Sequence, residues 1–207
     1  MHPAATLFVD VCVQPDLWCG GTWPLVTSAQ ARGVADLFVL AGDLDLRQGG
    51  IVCRHAPESE FSMQGSSLHC LQPGAGHERP PACVPRLPIQ VWKGVELTDE
   101  GPPLDREHAL YLDSGCGLAP DGDVGHARAF NHLTAGVRDA VVFGAGIEGG
   151  LDQAVRALLR RRIRVHVALD AAGTADERAA QLIVADWKRR GVDGTTVGMI
   201  ERMLRRA

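Results

Sequence analysis

The sequence predicts a doubly wound α/β domain, three layers (α/β/α) built on a mostly parallel sheet with helices on both faces. Three observations carry this. Short apolar, β-branched runs recur along the chain at TLFVDV (6–11), DAVVFG (139–144) and IRVHVAL (163–169). Segments with apolar residues at helical spacing alternate with them. A glycine-rich turn, FGAGIEGG (143–150), joins one of the strands directly to an amphipathic segment, as a parallel sheet requires. At 207 residues the chain is long enough for one such domain with its own core, and it has no internal repeats.

TLFVDV reads as a buried strand that stops in the loop QPDLWCGGTW (14–23). Val34, Leu37, Phe38, Ala41 and Leu44 recur at helical intervals. Gly49 and Gly50 are expected to end that helix, and IVC (51–53) to start a second strand. Residues 54–88, rich in Pro, Gly and Ser, are expected to form a long loop. IQVW (89–92) is a short strand ending at Lys93, and residues 99–125 again read as loop. ARAFNHLTAG (127–136) predicts a helix ahead of the strand DAVVFG. After the glycine-rich turn comes a helix with Leu151, Ala154, Val155, Leu158 and Leu159 inward, then the strand IRVHVAL. Thr174 and Glu177 have capping-box spacing for a helix that stops at Gly191. Ligands of such sheets bind beyond the carboxyl ends of the strands. Here those ends carry Asp10, Cys53, Lys93 and the 145–150 turn.

Composition narrows the function classes. Apolar content of 45% and charged content of 22% are those of an ordinary globular protein. A net charge of −4 without a basic tail argues against a nucleic-acid partner. No run approaches the ~18 apolar residues that cross a membrane, and MHPAATLFVD lacks the pattern of a secretory signal. The six cysteines (12, 19, 53, 70, 83 and 116) are scattered, so a reduced, cytoplasmic protein is expected.

LFVDV with Asp10, GGTW (20–23), HCLQPGAG (69–76), VWKG (91–94) and the segment VVFGAGIEGGLDQAVRALLRRRIRVHVALDAAG (141–173) together resemble the isochorismatase-like superfamily of cysteine hydrolases. The likeness is to its nicotinamidase side and covers nearly the whole chain. It implies that fold, a catalytic Asp at Asp10 and a catalytic Lys at Lys93. The family's turn typically reads Gly-x-Ala-Thr-Asp-x-Cys. Laid over it without gaps, Gly146 takes the Ala place, Ile147 the Thr, Glu148 the Asp and Gly150 the nucleophilic Cys. Glycine cannot attack a carbonyl, so thiol amidase chemistry through position 150 is excluded. The family's first strand often reads Asp-x-Gln-x-Asp-Phe. Here Cys12 replaces its Gln and Gln14 its second acid.

Three readings of the chemistry follow. The chain is an altered or inactive relative that binds a small molecule or a protein partner. Alternatively it hydrolyses a small molecule with Asp10 as general acid or base beside Lys93. Isochorismatases, which also have Gly at that place, use the Asp as an acid, which needs an apolar site that holds the proton. Asp10 follows Leu7, Phe8 and Val9. In the third reading Cys12 is a relocated nucleophile, on the same side as Asp10 if the strand continues; against this, free cysteines commonly just fill space. The pocket is expected between Asp10, Lys93 and the 145–150 turn, with Cys12, Trp18, Trp92, Gly146, Ile147 and Gly150 as binding residues. Glu148 is expected to cap the start of its own helix. The resemblance also implies a metal site. Cys53 and His55 stand where nicotinamidases have Asp-x-His, and His69 at their later His, a donor set that suits zinc. Self-association into a homo-oligomer is expected on the same grounds.

Overall fold

Parallel pairing runs through the whole sheet of the computed structural model, which describes residues 1–21, 23–53, 70, 78–85, 87–91, 108–113 and 124–207. Among these residues the strands are β1 (Thr6–Val11), β2 (Arg47–Val52), β3 (Pro88–Val91), β4 (Ala109–Asp113), β5 (Asp139–Gly144), β6 (Arg164–Ala172) and β7 (Asp193–Thr195). The order is β3-β4-β2-β1-β5-β6-β7. Every pair is parallel, where the sequence predicted a mostly parallel sheet. Strand order turns around at β1 and β5, so their carboxyl ends flank the crevice where such folds place ligands.

Both faces of the sheet are covered. The helices are α1 (Ser28–Asp43), α2 (Val124–Thr134), α3 (Asp152–Arg160), α4 (Glu177–Arg189) and α5 (Val197–Arg205). Alternation along β1 sends Leu7, Val9 and Val11 into a core with Phe130 of α2, Leu158 of α3 and Trp187 of α4. Phe8 goes to the opposite core, with Leu37 and Phe38 of α1 and Ile200 and Leu204 of α5. On that side Phe8 and Phe38 both meet Phe143 edge to face, at 5.9 and 5.8 Å. Thr27 and Gln30 form a capping box that starts α1. None of the described helices is long and apolar enough to cross a membrane.

Four details depart from the sequence reading. Gly49 and Gly50 lie inside β2 and do not end α1, which stops at Asp43 before a turn with Asp45 at φ 48°. These glycines serve close approach: a Cβ would come within 2.6 Å of Leu133 at Gly49 and 2.0 Å of the Asp10 carbonyl at Gly50. Residues 109–113, taken as loop, form the buried strand β4. The Thr174–Glu177 capping box does not form. Asp176 caps α4 instead, accepting from the N–H groups of Arg178 and Ala179. Beyond Gly191, β7 and α5 complete the edge of the sheet.

Candidate functional site

Asp10 sits one residue before the end of β1, opposite Gly50 on β2, and only 2% of it is exposed. A bare carboxylate at that depth is costly unless charge and hydrogen bonds compensate it. Both oxygens are engaged. Arg79 Nη2 donates to Oδ1 at 2.6 Å, and the Tyr111 hydroxyl donates to Oδ2 at 2.7 Å. The guanidinium carbon lies 3.8 Å from the centroid of the Tyr111 ring and 5.9 Å from that of Phe38. Arg79 is thus at once an ion-pair partner and a planar cation on an aromatic face. Burial raises the pKa of Asp10 above its ordinary value, against the pull of Arg79's charge and of both hydrogen bonds. Burial, reinforced by Asp10, pushes the Cys83 thiol up to about 12, so it stays protonated. Beside this group lies a cavity of about 450 Å³ lined by Val52, Glu78, Arg79, Gln90 and Tyr111 among others, within the range of small-molecule pockets.

The glycine-rich turn is built differently. Gly144 has φ 123° and lies so near β1 that a Cβ would be 2.0 Å from the Val11 carbonyl oxygen. Gly146 is left-handed at φ 82°, a conformation glycine adopts without strain. The N–H groups of Gly146 and Ile147 both donate to the carbonyl of Gly173, and Leu151 N–H reaches back five residues to Gly146. The result is a wide π-type turn, Ile147–Leu151, leading into α3. With the N–H groups of Gly146, Ile147, Gly149 and Leu151 already paired, the turn offers less to an anion than an open helix start. Ile147 is buried in the core. Contrary to the expectation from the sequence, Glu148 does not cap its own helix. Its carboxylate accepts from Thr174 Oγ1 (2.7 Å), Ala175 N–H (2.6 Å) and Asp176 N–H (3.3 Å). It braces the entry to α4.

Gly150 lies on this turn with no side chain and little room for one. A Cβ there would be 2.8 Å from Val11 Cγ1 and 3.9 Å from Cys12 Sγ. Cys12 itself has φ 51°, so the strand alternation expected to align it with Asp10 ends before it. Its sulfur lies beside Gly150, next to Val11, while the Asp10 side chain engages Arg79 and Tyr111. Trp18 is half-buried and packs against the cluster that holds Leu17 and Val26. Its indole Nε1–H is buried without a partner among the described residues.

Gln14 is a structural clamp. Its Oε1 accepts from Cys53 N–H at 2.7 Å and its Nε2 donates to the Cys53 carbonyl at 2.6 Å. The clamp ties the chain after β1 to the end of β2. The Cys53 thiol is buried with Leu17, Val26, Cys70 and Ala145. Lys93, Trp92, His55 and His69 lie outside the described residues, and among those described no group of three His, Cys, Asp or Glu could hold a metal ion. Sequence reasoning singled out Asp10 but named neither partner of its carboxylate, Arg79 or Tyr111. One signal was available: a buried acid needs a cation, and Tyr111 is the only tyrosine of the chain.

No family model matches the chain, and no curated protein does. Solved structures match well. An isochorismatase family protein of Desulfovibrio vulgaris superposes with TM-score 0.69 at 13% identity, over 96% of this chain and 97% of that one. The pyrazinamidase of Pyrococcus horikoshii, solved in complex with zinc, gives 0.66 at 16% identity, over 93% and 99%. The YcaC product of Escherichia coli, described as an octameric hydrolase of unknown specificity, gives 0.67 at 12% identity, over 100% and 82%. The fold is that of the isochorismatase-family hydrolases.

Proposed function

We propose that this chain is an isochorismatase-like protein without the thiol nucleophile, and that it binds a small molecule in the cavity beside Asp10. The observation that carries the proposal is the state of Asp10. Both carboxylate oxygens are held by Arg79 and Tyr111, so Asp10 is not free to act as base for a nucleophile at position 150. Position 150 has no side chain and Val11 crowds it. A second reading, hydrolysis with Asp10 as general acid, draws on one observation: burial favours the protonated carboxyl, the state such an acid needs. In that reading Lys93 supports Asp10.

Zinc at Cys53, His55 and His69 is supported by the donor chemistry and by the zinc-bound Pyrococcus horikoshii pyrazinamidase. Cys53, the only one of the three within the described residues, is buried with Leu17, Val26, Cys70 and Ala145. Self-association is supported by the octameric Escherichia coli neighbour and by the exposed Val39 of α1 and Leu182 of α4.

The test is a thermal-shift screen of small amides, carboxylic acids and amines, followed by turnover assays of any hit on wild type and Asp10→Asn. A ligand of the folded state raises Tm whether or not it is consumed. A hit bound by both proteins and consumed by neither supports the binding reading. Turnover by wild type that Asp10→Asn abolishes moves the chain to the hydrolase reading.

A further inference from the structure

The group that fills the Asp10 recess belongs to the chain itself, and its chemistry describes the site. Arg79 presents a flat cation. One edge donates to Asp10 at 2.6 Å, and one face rests on Tyr111 at 3.8 Å, with Phe38 at 5.9 Å. Tyr111 also donates to Asp10, so the acid and the ring are fixed relative to each other. Carboxylate, aromatic face and fixed spacing together make a receptor for a planar cation. The charges agree. Without Arg79, the charged groups of the recess and its cavity among the described residues are Asp10 and Glu78, both acidic. A carboxylate ligand would meet repulsion from both, whereas a cation would be attracted by both. Above the recess the cavity of about 450 Å³ leaves space for the rest of a ligand, with Glu78 and Gln90 on its wall.

We propose that the Asp10–Tyr111 recess is a planar-cation site, occupied from within by Arg79, and that its external ligand is a small molecule bearing a guanidinium or amidinium group. The inference rests on the reading that the cavity beside Asp10 binds small molecules, and it names their class. Arg79 holds the recess with the advantage of a tethered group, whose effective concentration is on the order of millimolar or more. An external cation must displace it, and the contacts with Glu78 and Gln90 are what a larger ligand adds and a bare guanidinium ion lacks. Wild type therefore responds weakly to a minimal cation, and a variant without the tether responds strongly.

The experiment is chemical rescue of Arg79→Ala by methylguanidinium at low millimolar concentration, with methylammonium and urea as controls for charge without planarity and planarity without charge. Methylguanidinium is expected to raise the Tm of Arg79→Ala by about 3–6 °C once it is at ~10 times its Kd. Wild type and Arg79→Ala/Asp10→Asn should shift by less than a third as much, and neither control compound should rescue. If Arg79→Ala does not fold alone, the folded yield on refolding with and without methylguanidinium gives the same reading. Equal shifts with all three compounds, no shift, or a variant that stays unfolded in both conditions would overturn the inference. Arg79→Ala that ignores methylguanidinium but is stabilised by a neutral amide or a carboxylic acid from the ligand screen would overturn the cation class and leave small-molecule binding standing.

Discussion

The end of β1 at Asp10 and the turn at the end of β5, carried by paired strands, solve opposite problems. At Asp10 the fold buries a charge and supplies everything that charge needs: a guanidinium, a hydroxyl and an aromatic face. At the 144–150 turn it supplies backbone alone. Glycines permit close packing on Val11, N–H groups are spent on Gly173, and Glu148 braces the next helix. The resemblance places a catalytic acid at the first end and a catalytic thiol at the second. In this chain the first region is held by side-chain charge and hydrogen bonds, the second by backbone contacts.

Loss of Arg79 should break this contrast most severely. Arg79→Met keeps an apolar stem but strands the buried carboxylate, at a cost of about 3–5 kcal/mol in urea unfolding near neutral pH. The cost should shrink at acidic pH, where Asp10 can take up a proton. Tyr111→Phe removes one hydrogen bond to the charged group and should cost about 1.5–3 kcal/mol by the same measurement. Gly150→Cys sharpens the other end. The new Cβ must push Val11 aside, so stability should fall by about 1–3 kcal/mol, and assay with nicotinamide should reveal no amidase activity, since Asp10 remains tied to Arg79. The pH profile gives the smallest effect. Because burial raises the folded pKa of Asp10, its contribution to stability is full below the ordinary value of 3.8 and is lost as pH rises through the folded value. Asp10→Asn should lack that loss, so the Tm difference between variant and wild type should drift in the variant's favour as pH rises over that window.

Much of the frame was legible from periodicity. β1 and β5 are continuous apolar runs, as strands buried on both faces must be, and α1 and α3 show the helical spacing of their inner faces. What escaped was set by tertiary contact. Gly49 and Gly50 look like a helix stop because glycine ends helices, yet they sit in a strand, at positions where Leu133 and Asp10 leave no space for a Cβ. The strand ALYLD is only five residues long, and its flanks are rich in glycine and proline, so its run was too short to stand out. Beyond Gly191, β7 is three polar-tending residues paired on the sheet edge. At the site, Asp10 was recognisable from its motif, but Arg79 lies 69 residues away along the chain and Tyr111 101 residues away. No local pattern joins them. Cys12 was assigned by strand alternation, which a single left-handed residue overturns.

Arg79 and Asp10 form one coupled unit, joined by an ion pair at 2.6 Å. A double-mutant cycle by urea unfolding near neutral pH, with wild type, Asp10→Asn, Arg79→Met and the double variant, tests it most directly. Coupling of about 1.5–3 kcal/mol, with the double variant more stable than Arg79→Met alone, is the predicted result. Single effects that add to within about 0.5 kcal/mol would contradict the account, because two residues held as a pair cannot lose their partners independently.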